Sequence, residues 1–166
     1  MQLVPSNDPI LHRPAKPVDL ADLPNLTATI SELQQQMTIS GGIGLSANQV
    51  GLDLAMFVME WVGEKRVCIN PVVIETSEEI GSEDEGCLSF PELRLTIKRP
   101  LWAIVGWFDE TGEARKTKLV GLEARVFLHE WDHLQGICFT DRVGKVTLMI
   151  HGFSFRLILI TTRLFW

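Results

Sequence analysis

The sequence predicts one α+β domain, in which mostly antiparallel strands pack around a helix carrying an H-E-x-x-H motif, with a second helix near the N-terminus. Three observations carry this. At 166 residues the chain is long enough for one buried core and short for two. Six short segments rich in β-branched and apolar residues lie between turn signals. Two other stretches place apolar residues at helical spacing, and they are set apart from the strand run instead of alternating with it.

In chain order, Val4 to Val18 contains Pro5, Pro9, Pro14 and Pro17, a density that suits an extended arm lying on the body. Leu26, Ile30, Leu33 and Met37 then recur at helical offsets, with Pro24 as a start signal and Gly41-Gly42 as a stop. Strands are expected at Leu54 to Val58, Arg66 to Ile69, Val72 to Glu75, Leu93 to Lys98, Ala103 to Phe108 and Ala114 to Leu119. Asp109-Glu110-Thr111-Gly112 has the composition of a hairpin turn. The acidic run between Thr76 and Glu85 reads as a solvated surface turn. Leu122, Val126, His129 and His133 mark the second helix, which Gly136 ends.

The composition excludes several classes. With 46% hydrophobic and 22% charged residues the chain is neither disordered nor built of membrane spans. A net charge of −6 without a basic stripe argues against a nucleic-acid surface. Three irregularly spaced cysteines and the lack of a signal-like start point to a reducing, cytoplasmic setting, with an organelle or a virus-infected host cell as alternatives. From about residue 143 a hydrophobic tail follows; its apolar run, Val146 to Ile160, is interrupted by Gly152 and Arg156 and is too short for a membrane span. Strands that close a sheet, or that join a second subunit in a dimer, are the preferred reading. A short interfacial helix or an atypical terminus are the others.

The chemistry starts with His129-Glu130-Trp131-Asp132-His133. On a helix, histidines four apart project from one side and reach one metal ion, and Glu130 then lies beside it to move protons. A catalytic site needs a third protein ligand and an open position. Cys87, in Glu85-Gly86-Cys87-Leu88-Ser89, is the candidate thiolate, whereas Cys68 and Cys138 read as small buried hydrophobes. Gly42-Ile43-Gly44-Leu45-Ser46-Ala47-Asn48-Gln49 is a loop whose glycines allow an extended peptide to pair with the backbone, and Gln49 offers an amide donor.

In this order the three stretches resemble the signature motifs of peptide deformylases, G-x-G-x-A-A-x-Q, E-G-C-L-S and H-E-x-D-H. The last two match in full and the first departs at Ser46, where the family usually has alanine. Similarity extends from about Leu3 to Arg142, through Asp8-Pro9-Ile10-Leu11 and Ile69-Asn70-Pro71. The resemblance implies removal of the formyl group from N-formylmethionyl nascent peptides. Cys87, His129 and His133 would hold one divalent ion, Fe2+ as the native metal, with Zn2+, Ni2+ or Co2+ as substitutes, and water in the fourth position. Glu130 would act as base and then acid, and the Gln49 amide and the Leu88 N–H would meet the developing oxyanion, each donor worth ~3 kcal/mol. Gly42, Ile43, Gly44, Glu85, Gly86, Arg94, Leu122 and Val126 would contact substrate, and Arg99 would pair with Asp132 behind the metal-binding helix. Arg125 stands one turn before His129, where the family often has an apolar residue. A solvated arginine is the preferred reading, and one that trims the methionine pocket the alternative. Ribosome docking through a basic C-terminal helix finds no counterpart in the apolar tail. A zinc endopeptidase shares H-E-x-x-H without needing Gly86-Cys87, and a metal-binding pseudoenzyme would have lost one of Gln49, Cys87, His129, Glu130 or His133.

Overall fold

Pro24 at the start of the first helix and Gly41, at φ 70°, just beyond its end bracket α1, Leu23–Ile39. Its buried residues are Leu23, Ile30, Leu33 and Met37; of the four positions read from the sequence, Leu26 is only half-buried. Seven strands follow: β1 Gly44–Ser46, β2 Met56–Trp61, β3 Glu64–Thr76, β4 Ile80–Cys87, β5 Phe90–Pro100, β6 Trp102–Phe108 and β7 Ala114–Val120, before α2, Leu122–Leu134. This computed structural model describes residues 1–61 and 63–144. The expected tail strands, and a dimer formed through them, lie outside the described residues.

The strands form a five-stranded antiparallel sheet in the order β1-β2-β3-β6-β7 and a two-stranded sheet β4-β5. Alternation along β2 decides what packs where. Met56 and Val58 join α1 residues Ile30, Leu33 and Met37 in one core cluster, while Phe57 and Met59 join α2 residues Ala124, Phe127 and Leu128 in another. The Phe57 and Phe127 rings meet edge to face with centroids 5.1 Å apart. A third cluster joins Cys87 and β5 to Leu11 of the arm and to Cys138 and Phe139 beyond α2. Helix α2 touches strands of both sheets, so the seam between them is where its side chains converge.

Several elements depart from expectation. The two strands expected at 66–69 and 72–75 are one, β3, interrupted in register near Asn70, whose φ of 48° is the single positive value among the described non-glycine residues. The acidic run is half strand: β4 begins at Ile80 and pairs with β5 throughout. Its acids still reach solvent at Glu83 and Asp84, but Glu85, on the same face of β4 as Glu83, is buried, so strand pairing covers one end of the run and leaves the rest solvated. The arm is docked as expected, though it contains a 3-10 turn at Pro9–His12, capped by Asp8. Backbone bonds Val4 N–H to Gln49 O and Ala15 N–H to Leu134 O, each 2.9 Å, hold it against both motif-bearing segments. The Asp109 turn forms as read, with Gly112 at φ 82°.

Candidate active site

His129, Glu130 and His133 are all buried on α2, which aims them at the end of β4. There a register shift between Gly86 and Cys87 turns the chain, and the Cys87 sulfur comes within 3.2 Å of His133 Nε2. Ligand atoms of Cys87, His129 and His133 all lie within 4.8 Å of one another. His129 directs Nδ1 to Glu85 Oε2 at 2.9 Å, which fixes the ring plane and leaves Nε2 as the nitrogen for a metal. Burial, with the charges of His129 and Arg99, pushes the His133 pKa well below the usual value, so this imidazole is neutral and ready to ligate. Burial opposes charge on His129 too, yet bonds to the Cys87 sulfur and Glu85 and the charge of Glu130 lift its pKa to about 10. A divalent cation entering here displaces that proton. One thiol and two imidazoles converging in a buried pocket fit the donor set of a divalent metal ion.

Glu130 is 4% exposed, and its Oε2 finds no hydrogen-bond partner among the described residues. Burial pushes its pKa up to about 7, against the opposing charges of His129 and Arg99. A carboxyl near neutrality can both take and return a proton. Gly44 is required by this carboxylate: a Cβ there would lie 2.4 Å from Glu130 Oε1. Gly42 is likewise tight, with Leu88 Cδ1 at 2.7 Å from a Cβ.

Gln49 is oriented by Ser46. Both the Ser46 N–H and its hydroxyl donate to Gln49 Oε1 at 2.9 Å, so the amide NH2 faces the other way, 3.1 Å from Ser89 Oγ and 3.5 Å from the Cys87 sulfur. Ser46 stands where the family usually has alanine. The Ser46 hydroxyl thus adds a second hold on Gln49 Oε1 beside the backbone N–H.

Behind the histidines runs a buried ion network. Arg99 donates to Glu85 at 2.6 and 3.0 Å and to Asp132 at 2.8 Å, the pairing read from the sequence, and Arg142 closes on the far side of Asp132. Burial alone would raise the Glu85 carboxyl, but the bonds from His129 and Arg99 hold it down to about 2. Arg125 belongs to the same network, contrary to its reading as a solvated side chain: it is 6% exposed. It donates to Glu85 Oε1 at 2.6 Å, Ile97 O at 3.0 Å and Gly81 O at 3.2 Å, and pairs with Glu83 at 3.2 Å. An arginine can be buried here because four acceptors, all from the β4-β5 hairpin, receive it. Nothing local to Arg125 signals those partners, which stand 28 to 44 residues away in sequence. Ser89, the last residue of E-G-C-L-S, is the other functional contact that residue-by-residue reading left without a role.

The cavity in front of the site measures about 500 Å³ and is lined by Gly42, Ile43, Gly44, Gln49, Glu85, Gly86, Cys87, Leu88, Arg94, Leu122, Val126, His129 and Glu130, with Arg125 in its wall. Every residue read as catalytic or substrate-binding borders it. His133, Arg99 and Asp132 lie behind.

A strand-and-helix seam with a Cys-His-His set, a buried glutamate and an open cleft defines a metal-dependent hydrolase. The family model for polypeptide deformylase matches residues 1–148, and the chain belongs to that family, metalloenzymes that remove formyl groups. It is 40% identical over 143 residues to the peptide deformylase of Thermotoga maritima, 86% of this chain and 87% of that protein. It is 41% identical over 149 residues to the chloroplastic peptide deformylase 1B of Oryza sativa subsp. japonica, of which it spans 55% of the length. Among solved structures, the Synechococcus elongatus peptide deformylase in complex with actinonin superposes with a TM-score of 0.85 at 35% identity, covering 94% of this chain and 88% of that one. That of Thermotoga maritima gives 0.82 at 38% identity, over 86% of this chain and 97% of that one. No helix among the described residues is long and apolar enough to cross a membrane.

Proposed function

We propose that this chain hydrolyses the formyl group from the N-terminal formylmethionine of newly made polypeptides, with Cys87, His129 and His133 holding one divalent ion, Fe2+ in its native state. When bound, the ion supplies Lewis-acid polarisation of the formyl carbonyl and acidifies water. The remaining work falls to the protein. Glu130 accepts the proton of the attacking water and delivers it to the methionine nitrogen as formate leaves. The Gln49 amide, turned outward by Ser46, donates to the oxyanion together with the Leu88 N–H. Strand β1 is an edge of the larger sheet, so Gly44 offers free backbone groups to an extended peptide, and Gly86 faces the same cavity from the other sheet. Leu122 and Val126, with Ile43, supply an apolar lining for the methionine side chain, and Arg94 stands where following residues would pass. Glu85, bound to His129 Nδ1, acts through that ring as a positioning residue.

Three free thiols support a reducing compartment such as the cytoplasm. The observation that carries the reading is the buried Glu130 carboxylate, with an unpartnered oxygen, beside three converging ligand atoms. Glu130→Gln tests it: metal content should be kept while formate release from a formyl-Met-Ala-Ser peptide falls by several orders of magnitude. Full activity in that variant would refute the role of Glu130.

A further inference from the structure

Outside the cleft, the described residues contain one other place where three metal-ligating side chains of different kinds converge. Ligand atoms of His12, Cys138 and Asp141 lie within 4.8 Å of one another. They come from two segments 126 residues apart, His12 at the end of the arm's 3-10 turn and Cys138 and Asp141 just beyond α2. We propose that these three residues form a second metal site, for a borderline divalent cation such as Zn2+, which staples the N-terminal arm to the segment after α2.

The framework is already rigid. Leu11 and Cys138 are both fully buried, Ala15 N–H bonds to Leu134 O at 2.9 Å, and a Cβ on Gly136 would lie 2.5 Å from the Arg13 backbone nitrogen, so the arm crosses this turn in direct contact. The ligands are poised by their own bonds. His12 Nε2 lies 3.1 Å from Ser6 O; a carbonyl can only accept, so the ring donates there and keeps its lone pair on Nδ1. A backbone carbonyl on the second nitrogen is the usual support of a metal-bound histidine. Asp141 Oδ2 accepts the Cys138 N–H at 2.8 Å, which orients the carboxylate and leaves Oδ1 available. The Cys138 sulfur accepts the Asp141 N–H and makes a long 3.9 Å approach to Leu11 O, so no strong acceptor holds its proton.

Charge and size also agree. A thiolate, a carboxylate and a neutral imidazole balance a 2+ ion. With Zn–S of about 2.3 Å and Zn–N of about 2.0 Å, ligand atoms stand about 3.3–3.8 Å apart, so the side chains need close by at most roughly 1.5 Å. Cys138 is buried, His12 half-buried and Asp141 exposed, which places the ion at the surface boundary with room for water as a fourth ligand.

The experiment loads the full chain with excess Zn2+ under reducing conditions, desalts it and measures bound zinc per chain. Wild type should hold two equivalents, His12→Ala and Asp141→Asn one each with deformylase activity unchanged, Cys87→Ala one, and the Cys87→Ala/His12→Ala double variant none. Limited proteolysis should cut the arm several-fold faster in His12→Ala than in zinc-loaded wild type. A single equivalent in wild type, or two retained in His12→Ala, overturns the proposal. A Cys87→Ala variant that keeps both ions would count against the active-site ligand set and leave the second site standing.

Discussion

Replacing Arg125 by leucine removes the guanidinium and keeps an apolar side chain in the cavity wall. In the folded chain this costs a 2.6 Å charge-assisted bond to buried Glu85 and strands the Ile97 and Gly81 carbonyls, which receive Arg125 at 3.0 and 3.2 Å. Breaking a buried pair by removing one partner typically costs about 3–5 kcal/mol. Here Glu85 keeps Arg99 and His129, so the lower end applies, about 3 kcal/mol. For a domain of this size that is a fall in Tm of roughly 6–12 °C. Urea unfolding of the metal-loaded protein at pH 7 measures it, with kcat recorded in parallel because Glu85 also sets the His129 ring. A solvated arginine would change stability by no more than about 0.5 kcal/mol. A loss that small would refute the burial and the network drawn from it.

Gly44→Ala should fold but lose about 100-fold in kcat, because its Cβ would meet Glu130 Oε1 at 2.4 Å and a displaced catalytic group costs that much; an unimpaired kcat with an unchanged melting curve would contradict the close approach. Ser46→Ala removes one of two holds on Gln49 Oε1, a neutral bond of about 1 kcal/mol, so kcat/KM should drop about five-fold, and an unchanged value would show that the backbone N–H suffices. Asp109, whose pKa the Thr111 hydroxyl and then Arg115 lower to about 2, gives a pH signature. A depressed carboxyl stabilises the fold above its unfolded value near 4 and loses that contribution as pH falls toward 2, so Asp109→Asn should be less stable than wild type at pH 6, with the gap narrowing below about pH 4. A gap independent of pH would mean the turn does not use the charge.

The helices and the pairing of the two histidines on one of them were legible because their signals are local. Four-residue spacing placed His129 and His133 on one side of α2, and Pro24 with Gly41 bracketed α1. The Asp109 turn needed only its own side chain, which accepts from the Thr111 and Glu113 N–H groups. What escaped is non-local. The acids of β4 look solvated along the chain, and only pairing with β5 and α2 shows that Glu85 is buried while Glu83, still exposed, joins it on Arg125. Arg125 followed, since three of its four acceptors, Gly81, Glu83 and Glu85, sit on β4, the strand the sequence did not signal. Strand β1, three residues long, exists because β2 pairs with it at Gly44, Leu45 and Ser46, a length at which periodicity carries no signal.

Formate release is the most direct test of the central claim. Full-length protein loaded anaerobically with Fe2+ is mixed with a formyl-Met-Ala-Ser peptide, and formate and free amine are quantified beside metal-stripped protein and the Cys87→Ala variant. The account predicts one formate and one new methionine amine per peptide, with no internal cleavage, and loss of the activity in both controls. Cleavage of the Met-Ala bond, or undiminished formate release by Cys87→Ala, would contradict it.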